Sequence, residues 1–343
     1  MAALHVLRPG LFTTIQDMGR TGYGHLGVPV AGALNPVGLR LANALVGNEA
    51  GEGGLEISYL CPTLRIEGGT LRIGLMGAVT ARLDRAGESR VLQSGRSHLL
   101  FPGDVLDLGA VSGASVAYLA VEGGFDLAPV LGSLSSYGRA AIGPLGGRAL
   151  VAGDLLPVRR LQAAERAERA YVVPFDYGMG PLRVVMGPQA DRFSAAAVET
   201  FLSSPYRVGR DADRMGLRLE GPALDQPNGA GIVSDGLVSG CIQVPGNGLP
   251  ILLLADHQTV GGYAKIATVI SADLPRAALA VPGSALRFHA VSMDEAEAAR
   301  RDLEGRIAIA IGGLAELSGA LNLAALYSAN LVSGMVCGGE EDS

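Results

Sequence analysis

Short apolar runs ending in Gly or Pro dominate the chain. Leu71–Met76, Val105–Leu108, Val116–Val121, Leu182–Met186, Leu217–Leu219, Ile251–Leu254, Ile266–Ile270 and Leu286–Val291 are such runs. Runs of this length, punctuated by turn residues, predict strands of sandwiches or barrels. Helical periodicity is rarer. Pro36–Val46 places Val37, Leu39, Leu41, Leu45 and Val46 on one face, with Asn35 positioned to cap and Gly47 to terminate. Arg160–Ala170, with Arg160, Glu165, Arg166, Glu168 and Arg169, reads as a solvated connecting helix. Ser194–Leu202 and Asp294–Leu303 complete the expected helices.

Two stretches echo each other. Leu71-Arg72-Ile73-Gly74-Leu75-Met76-Gly77 resembles Leu182-Arg183-Val184-Val185-Met186-Gly187, and Phe101-Pro102-Gly103-Asp104 resembles Val281-Pro282-Gly283-Ser284. The echo predicts two β-rich lobes. The expected layout is an N-terminal lobe over residues 1–155, a connecting helix and linker over 156–180, a C-terminal barrel lobe over 181–292 and a helical tail over 293–343. Residues 317–337 carry no charge, but Asn322, Asn330 and several serines break the run. Packing on the protein body or a partner suits it better than a bilayer.

Composition narrows the chemistry. The 343 residues are 48% hydrophobic and 17% charged, enough for a large core. A net charge of −6, and no Lys/Arg stripe, argue against nucleic acid. The start Met1-Ala2-Ala3-Leu4-His5-Val6 lacks the pattern of a signal peptide, so a cytoplasmic location is expected, with no membrane span. Cys61, Cys241 and Cys337 lie too far apart for a metal-ligand pair, and no metal is expected. Of 27 Lys and Arg residues, Lys265 alone is lysine. A lysine kept against that bias points to a movable point charge where a planar fork would not serve. It is followed by Ile266, which excludes a P-loop, and no biotin-acceptor sequence surrounds it.

Three polar clusters stand out. The first is Thr14-Ile15-Gln16-Asp17-Met18-Gly19-Arg20 with His25 after it. Asp17 and Arg20 can pair, or Arg20 can present its fork to a carboxylate. The second is Ser234-Asp235-Gly236, then Gln243. The third is Asp256-His257-Gln258-Thr259, then Tyr263 and Lys265. It reads as a hairpin turning at Gly261-Gly262 whose rim suits a small polar ligand.

These clusters in this order resemble the allophanate hydrolase subunit 2 family, also called biotin-dependent carboxyltransferase-like. The resemblance rests on Pro9-Gly10-Leu11, Thr14 to Arg20, His25-Leu26-Gly27-Val28-Pro29, Leu39 to Asn43, Gly187-Pro188-Gln189, Arg214-Met215-Gly216, Gln243-Val244-Pro245, Leu254-Ala255-Asp256, Gln258-Thr259, Gly261-Gly262-Tyr263 and Lys265 to Ile270. It spans roughly residues 4–291. His257, Val260 and Ala264 depart from the usual Arg, Thr and Pro, and Asp235 from the frequent Glu. The resemblance implies a mainly β chain of two cyclophilin-like barrel lobes. It further implies the C subunit of a 5-oxoprolinase working with A and B subunits, with ATP held by the complex and a lactam as substrate. A homo-oligomer is compatible with this. Alternatives within the family are a carboxyltransferase component, whose biotin would arrive on another chain, and a non-catalytic antagonist of a B-like kinase inhibitor. On this reading Lys265, Asp256, His257, Gln258 and Tyr263 are the candidate catalytic residues. Arg20, Gln16, Asp17, His25, Thr259 and Gln243 are the candidate substrate-binding residues.

Overall fold

In the computed structural model, residues 1–317 are described. The chain is mainly β, with few helices. Two sheets share the first core. One runs in the order Leu155–Pro157, Ala3–Arg8, Thr63–Glu67, Val105–Asp107, Thr80–Arg85, Glu88–Gln93. The other runs Phe12–Gln16, Gly54–Ser58, Val116–Val121, Leu71–Met76, Arg96–Leu100, Glu168–Ala170, Ala315–Leu317. Between them Leu4, Val6, Leu55, Ile57, Leu64, Ile73, Leu106 and Leu119 are excluded from solvent. Alternate residues of each strand face this layer, which is why short runs suffice.

The third sheet builds the other lobe. Its order is Ala285–Leu286, Tyr206–Val208, Gly216–Glu220, Ile251–Leu253, Cys241–Val244, Val260–Val269, Leu182–Met186, Phe288–Ala290. Gly231–Gly236 pairs with the outer half of Val260–Val269. Phe201, Tyr206 and Phe288 pack at its centre, the two phenylalanines stacked with ring centroids 4.6 Å apart.

Helix Pro36–Val46 begins where expected: the Asn35 side chain accepts from the Gly38 amide at 3.0 Å, and Gly47 ends the helix at φ 74°. The second helix covers Ala195–Ser203. The last is longer than the periodicity indicated, Met293–Gly312, and starts with a capping box between Ser292 and Glu295. Its Ala299, Leu303 and Ile307 pack on Val37 and Leu41 of one lobe and on Ile270 and Ala272 of the other. Arg40 clamps Glu304 with bonds of 3.0 and 2.7 Å.

Two expectations are corrected. Arg160–Ala170 forms no helix, and Glu168–Ala170 is a strand against Ala315–Leu317. The cause is distant in sequence. Arg72, 1% exposed, takes the carbonyls of Ala164 and Arg166 at 2.8 and 3.0 Å and the Glu168 carboxylate at 3.0 Å, so these groups are satisfied outside a helix. Nor is the lysine segment a hairpin. Cys241–Val244 lies between Ile251–Leu253 and Val260–Val269 and pairs with both. Gly261 and Gly262 are inside a strand, and the turn is Ala255–Thr259.

The echoed Pro-Gly turns are alike in detail. The Asp104 amide donates to Phe101 O at 3.0 Å and the Ser284 amide to Val281 O at 2.9 Å, with Gly103 and Gly283 at φ 90° and 91°. Each is closed again by the side chain of its fourth residue. Beyond Leu317 the chain, including Cys337 and most of the uncharged tail, lies outside the described residues. Among those described, no helix is long and apolar enough to cross a membrane, and no cluster of metal-ligating side chains forms.

Candidate functional site

Lys265 projects from the strand that crosses the third sheet, and it is 3% exposed. Its ammonium donates to Asp235 Oδ2 at 2.6 Å and reaches the carbonyl of Gly236 at 3.4 Å. Gln189 closes the triangle: its Nε2 donates to the same Asp235 oxygen at 3.3 Å, and its Oε1 accepts from the Lys265 amide at 3.3 Å. The lysine hydrogen bond, with the Gly236 amide behind it, holds the Asp235 carboxyl below its ordinary range. The pair is lopsided, with side chains 4% and 52% exposed. Asp235 rides on the outer ribbon Gly231–Gly236, whereas Lys265 is rooted in the core.

On the adjoining strand Gln243 stands opposite Lys265. Its Nε2 donates to the Tyr263 carbonyl at 3.4 Å, and its Oε1 accepts from Gln258 Nε2 at 3.3 Å. Two glycines permit this packing. A Cβ at Gly261 would lie 2.6 Å from Gln243 Nε2, and one at Gly187 would overlap the Lys265 carbonyl. Lys265, Gln243 and Gln258 are therefore brought together, joined by Gln189 and Asp235, which were absent from the expected set although both lay in clusters or motifs visible in the chain. Tyr263 contributes its backbone carbonyl, and its side chain is 46% exposed.

His257 comes next along the turn. Its Nδ1 lies 2.6 Å from the Gln258 carbonyl, which only accepts, so Nδ1 carries the proton and Nε2 keeps a free lone pair. Burial pushes its pKa down, and the ring is neutral near pH 7. Thr259 is half-buried, and its backbone carbonyl accepts from the Leu237 amide.

Asp256 has another task. Both its oxygens accept from Arg214, at 2.9 and 2.8 Å. The same guanidinium reaches Glu56 of the first lobe and donates to the Gly32 carbonyl at 2.7 Å. Glu56 in turn accepts from Tyr118 Oη and from the Leu34 amide, both at 2.7 Å. Burial works against the charge on Arg214, but Glu56 and Asp256 outweigh it and hold its pKa above the ordinary value. Asp256 is thus an anchor of an ion network across the lobes, with an Arg214 hydrogen bond on each of its oxygens.

The first cluster centres on the loop Ser133–Ser136. Asp17 does not bond Arg20. It accepts from Ser133 Oγ at 2.7 Å, Ser135 Oγ at 2.5 Å, the Leu134 amide at 2.6 Å and the Gly19 amide at 2.8 Å. Gln16 donates to Ser136 O at 3.1 Å. Arg20, 2% exposed, donates from Nη2 to Ser135 O, and its Nε and Nη1 are buried without partners. Burial lowers its pKa, opposed by the charges of Asp17 and Asp256. His25 sits on an exposed turn, Gly24–Leu26.

The sequence model described as carboxyltransferase domain, subdomain A and B, matches residues 26–290. The chain belongs to this family. It is 37% identical over 300 residues to the 5-oxoprolinase C subunit of Escherichia coli K12, covering 87% of this chain and 94% of that protein. The Haemophilus influenzae protein of the same name is 32% identical over 297 residues, covering 85% of this chain and 92% of that one. The crystal structure of the K. lactis urea amidolyase superposes with a TM-score of 0.81 at 28% identity, over 92% of this chain. A solved protein, TTHA0988, superposes with a TM-score of 0.73 at 38% identity, over 84% of this chain. The chain spans only 20% of the amidolyase and 56% of TTHA0988.

Proposed function

We propose that this chain is the C subunit of an ATP-dependent 5-oxoprolinase, acting with A and B subunits on the lactam. The observation that carries the reading is its 37% identity to an E. coli protein of that name over 94% of that protein's length. A lactam carbonyl is a poor electrophile until its oxygen is phosphorylated and charge can develop there. A preorganised cation with amide donors beside it stabilises that charge. Lys265 supplies the cation, and the Gln243 and Gln258 amides the donors. The neutral Nε2 of His257 is placed to accept a proton from water. Arg20, still short of partners on Nε and Nη1, suits a carboxylate.

ATP belongs to the assembly. Lys265 lies mid-strand, not at the mouth of a glycine loop leading into a helix, which supports a nucleotide site outside this cluster. Its burial likewise supports the absence of covalent biotin on this chain. The test is co-expression with neighbouring A and B subunits and measurement of glutamate released from 5-oxoproline with ATP. Lys265→Ala should lower turnover at least about 100-fold, the scale of losing a transition-state donor. Unchanged turnover sinks the role given to the lysine. Carboxyl transfer is the second reading, favoured by the 0.81 TM-score to the amidolyase. An assembly that carboxylates a urea-like acceptor but releases no glutamate would establish it instead.

A further inference from the structure

An apolar hollow lies between the lobes, and Lys265 is not among the residues that line it. It encloses about 580 Å³. Leu11, Phe12 and Tyr59 line it from the first lobe, Met215, Leu254 and Ala280 from the second. A lactam of nine heavy atoms, polar around most of its edge, would leave it mostly empty, since hollows of this size hold drug-sized molecules.

Its charges are arranged unevenly. At the floor Arg214 and Asp256 are already consumed by one another and by Glu56, so they ask for no ionic ligand. At the mouth Arg139 is different. Its side chain is 60% exposed, and its one ion-pair contact among the described residues, with Asp213, is 3.5 Å long. The lip is apolar although it faces water: Leu11 is 68% and Tyr59 42% exposed. Tyr59 also holds φ 58°, a costly backbone state for a side chain of its bulk. A dry body, a neutralised floor and one loosely held arginine at the entrance describe a single ligand chemistry.

We propose that this hollow binds an amphipathic monoanion, an aryl or acyl body with one acidic head, the body between the lobes and the head on Arg139. The site is separate from the Lys265 cluster and does not depend on the oxoprolinase reading, because its test reads binding alone. The probe is 1-anilinonaphthalene-8-sulfonate, an aromatic body with one sulfonate, titrated against the full chain and followed by fluorescence and calorimetry. Saturable binding of one probe per chain is expected. Arg139→Gln, at an exposed position, should weaken it roughly three- to tenfold, the net scale of one ordinary hydrogen bond. Ala280→Phe and Ala212→Phe, which fill the hollow from two walls, should each abolish it while leaving circular dichroism unchanged. If one filled variant fails to fold, the other decides. Non-saturable binding, or equal binding by a folded filled variant, overturns the proposal. So does an Arg139→Gln affinity equal to that of the parent.

Discussion

Asp256→Asn separates an anchor from a catalyst. The substitution keeps shape and removes one of the two carboxylates on Arg214, leaving that buried guanidinium with Glu56 and the Gly32 carbonyl. Breaking a buried pair typically costs 3–5 kcal/mol because the remaining charge is uncompensated; with Glu56 retained, about 2–4 kcal/mol is expected here. At about 2.1 cal/mol/K of unfolding entropy per residue over 343 residues, that is roughly a 3–6 °C fall in Tm. The assay is urea denaturation by circular dichroism alongside a thermal scan, with exposed Asp213→Asn as control, expected within about 0.5 kcal/mol. A cycle with Arg214→Met should show coupling above about 1.5 kcal/mol, since both substitutions dismantle one network. If Asp256→Asn leaves stability within about 0.5 kcal/mol of the parent yet stops turnover in the assembly, the anchor reading is wrong and Asp256 acts in the chemistry.

Acid should charge the two desolvated histidines. His257 and His98 both have folded pKa values pushed down by burial, so the unfolded chain binds their protons first. Stability is then complete above the ordinary pKa of about 6.5 and is lost as pH falls from there through the folded values. Urea midpoints at pH 7.5 and 5.5 should differ, with at most about 1.4 kcal/mol from each ring, and His257→Gln should remove its share. An equal slope in that variant refutes the assignment. Gly261→Ala should displace the Gln243 amide, at a cost of about 1 kcal/mol in stability and roughly tenfold in turnover of the assembly. Undiminished turnover would mean that Gln243 need not hold its present position.

What was legible in the chain was what neighbours in sequence decide. Asn35 and Gly47 bracket their helix through bonds within one turn, and the Pro102-Gly103 and Pro282-Gly283 turns close on their own fourth residues. What failed was decided from afar. Arg72 unmakes the expected helix at 160–170 from more than ninety positions away. Nothing near Asp256 in the chain announced its pairing either, because its partner Arg214 stands 42 residues earlier, and Glu56 a further 158 from that. The hairpin reading failed for the same reason, because nothing local announces that Cys241–Val244 inserts between its arms. Composition succeeded where periodicity could not: the lone lysine proved to be buried and central to a polar array.

That array carries an asymmetry with a physical consequence. Removing an ammonium from water is costly unless an anion accompanies it, and here the anion comes from an edge ribbon that is itself half in water. Asp235 loses little on leaving, since water can take over its solvation. Lys265 cannot follow, because its strand is paired on both sides and Gly187 lets the neighbouring backbone close over it. A developing anion that displaces Asp235 would inherit a cation already desolvated and already flanked by amide donors. Under the proposed reading, charge forming on the lactam oxygen is that anion. An arginine could not take the same place without bringing a planar fork and further donors to satisfy in the space now filled by Gln189 and Gln243. The retention of one lysine in a chain otherwise built with arginine follows from that geometry.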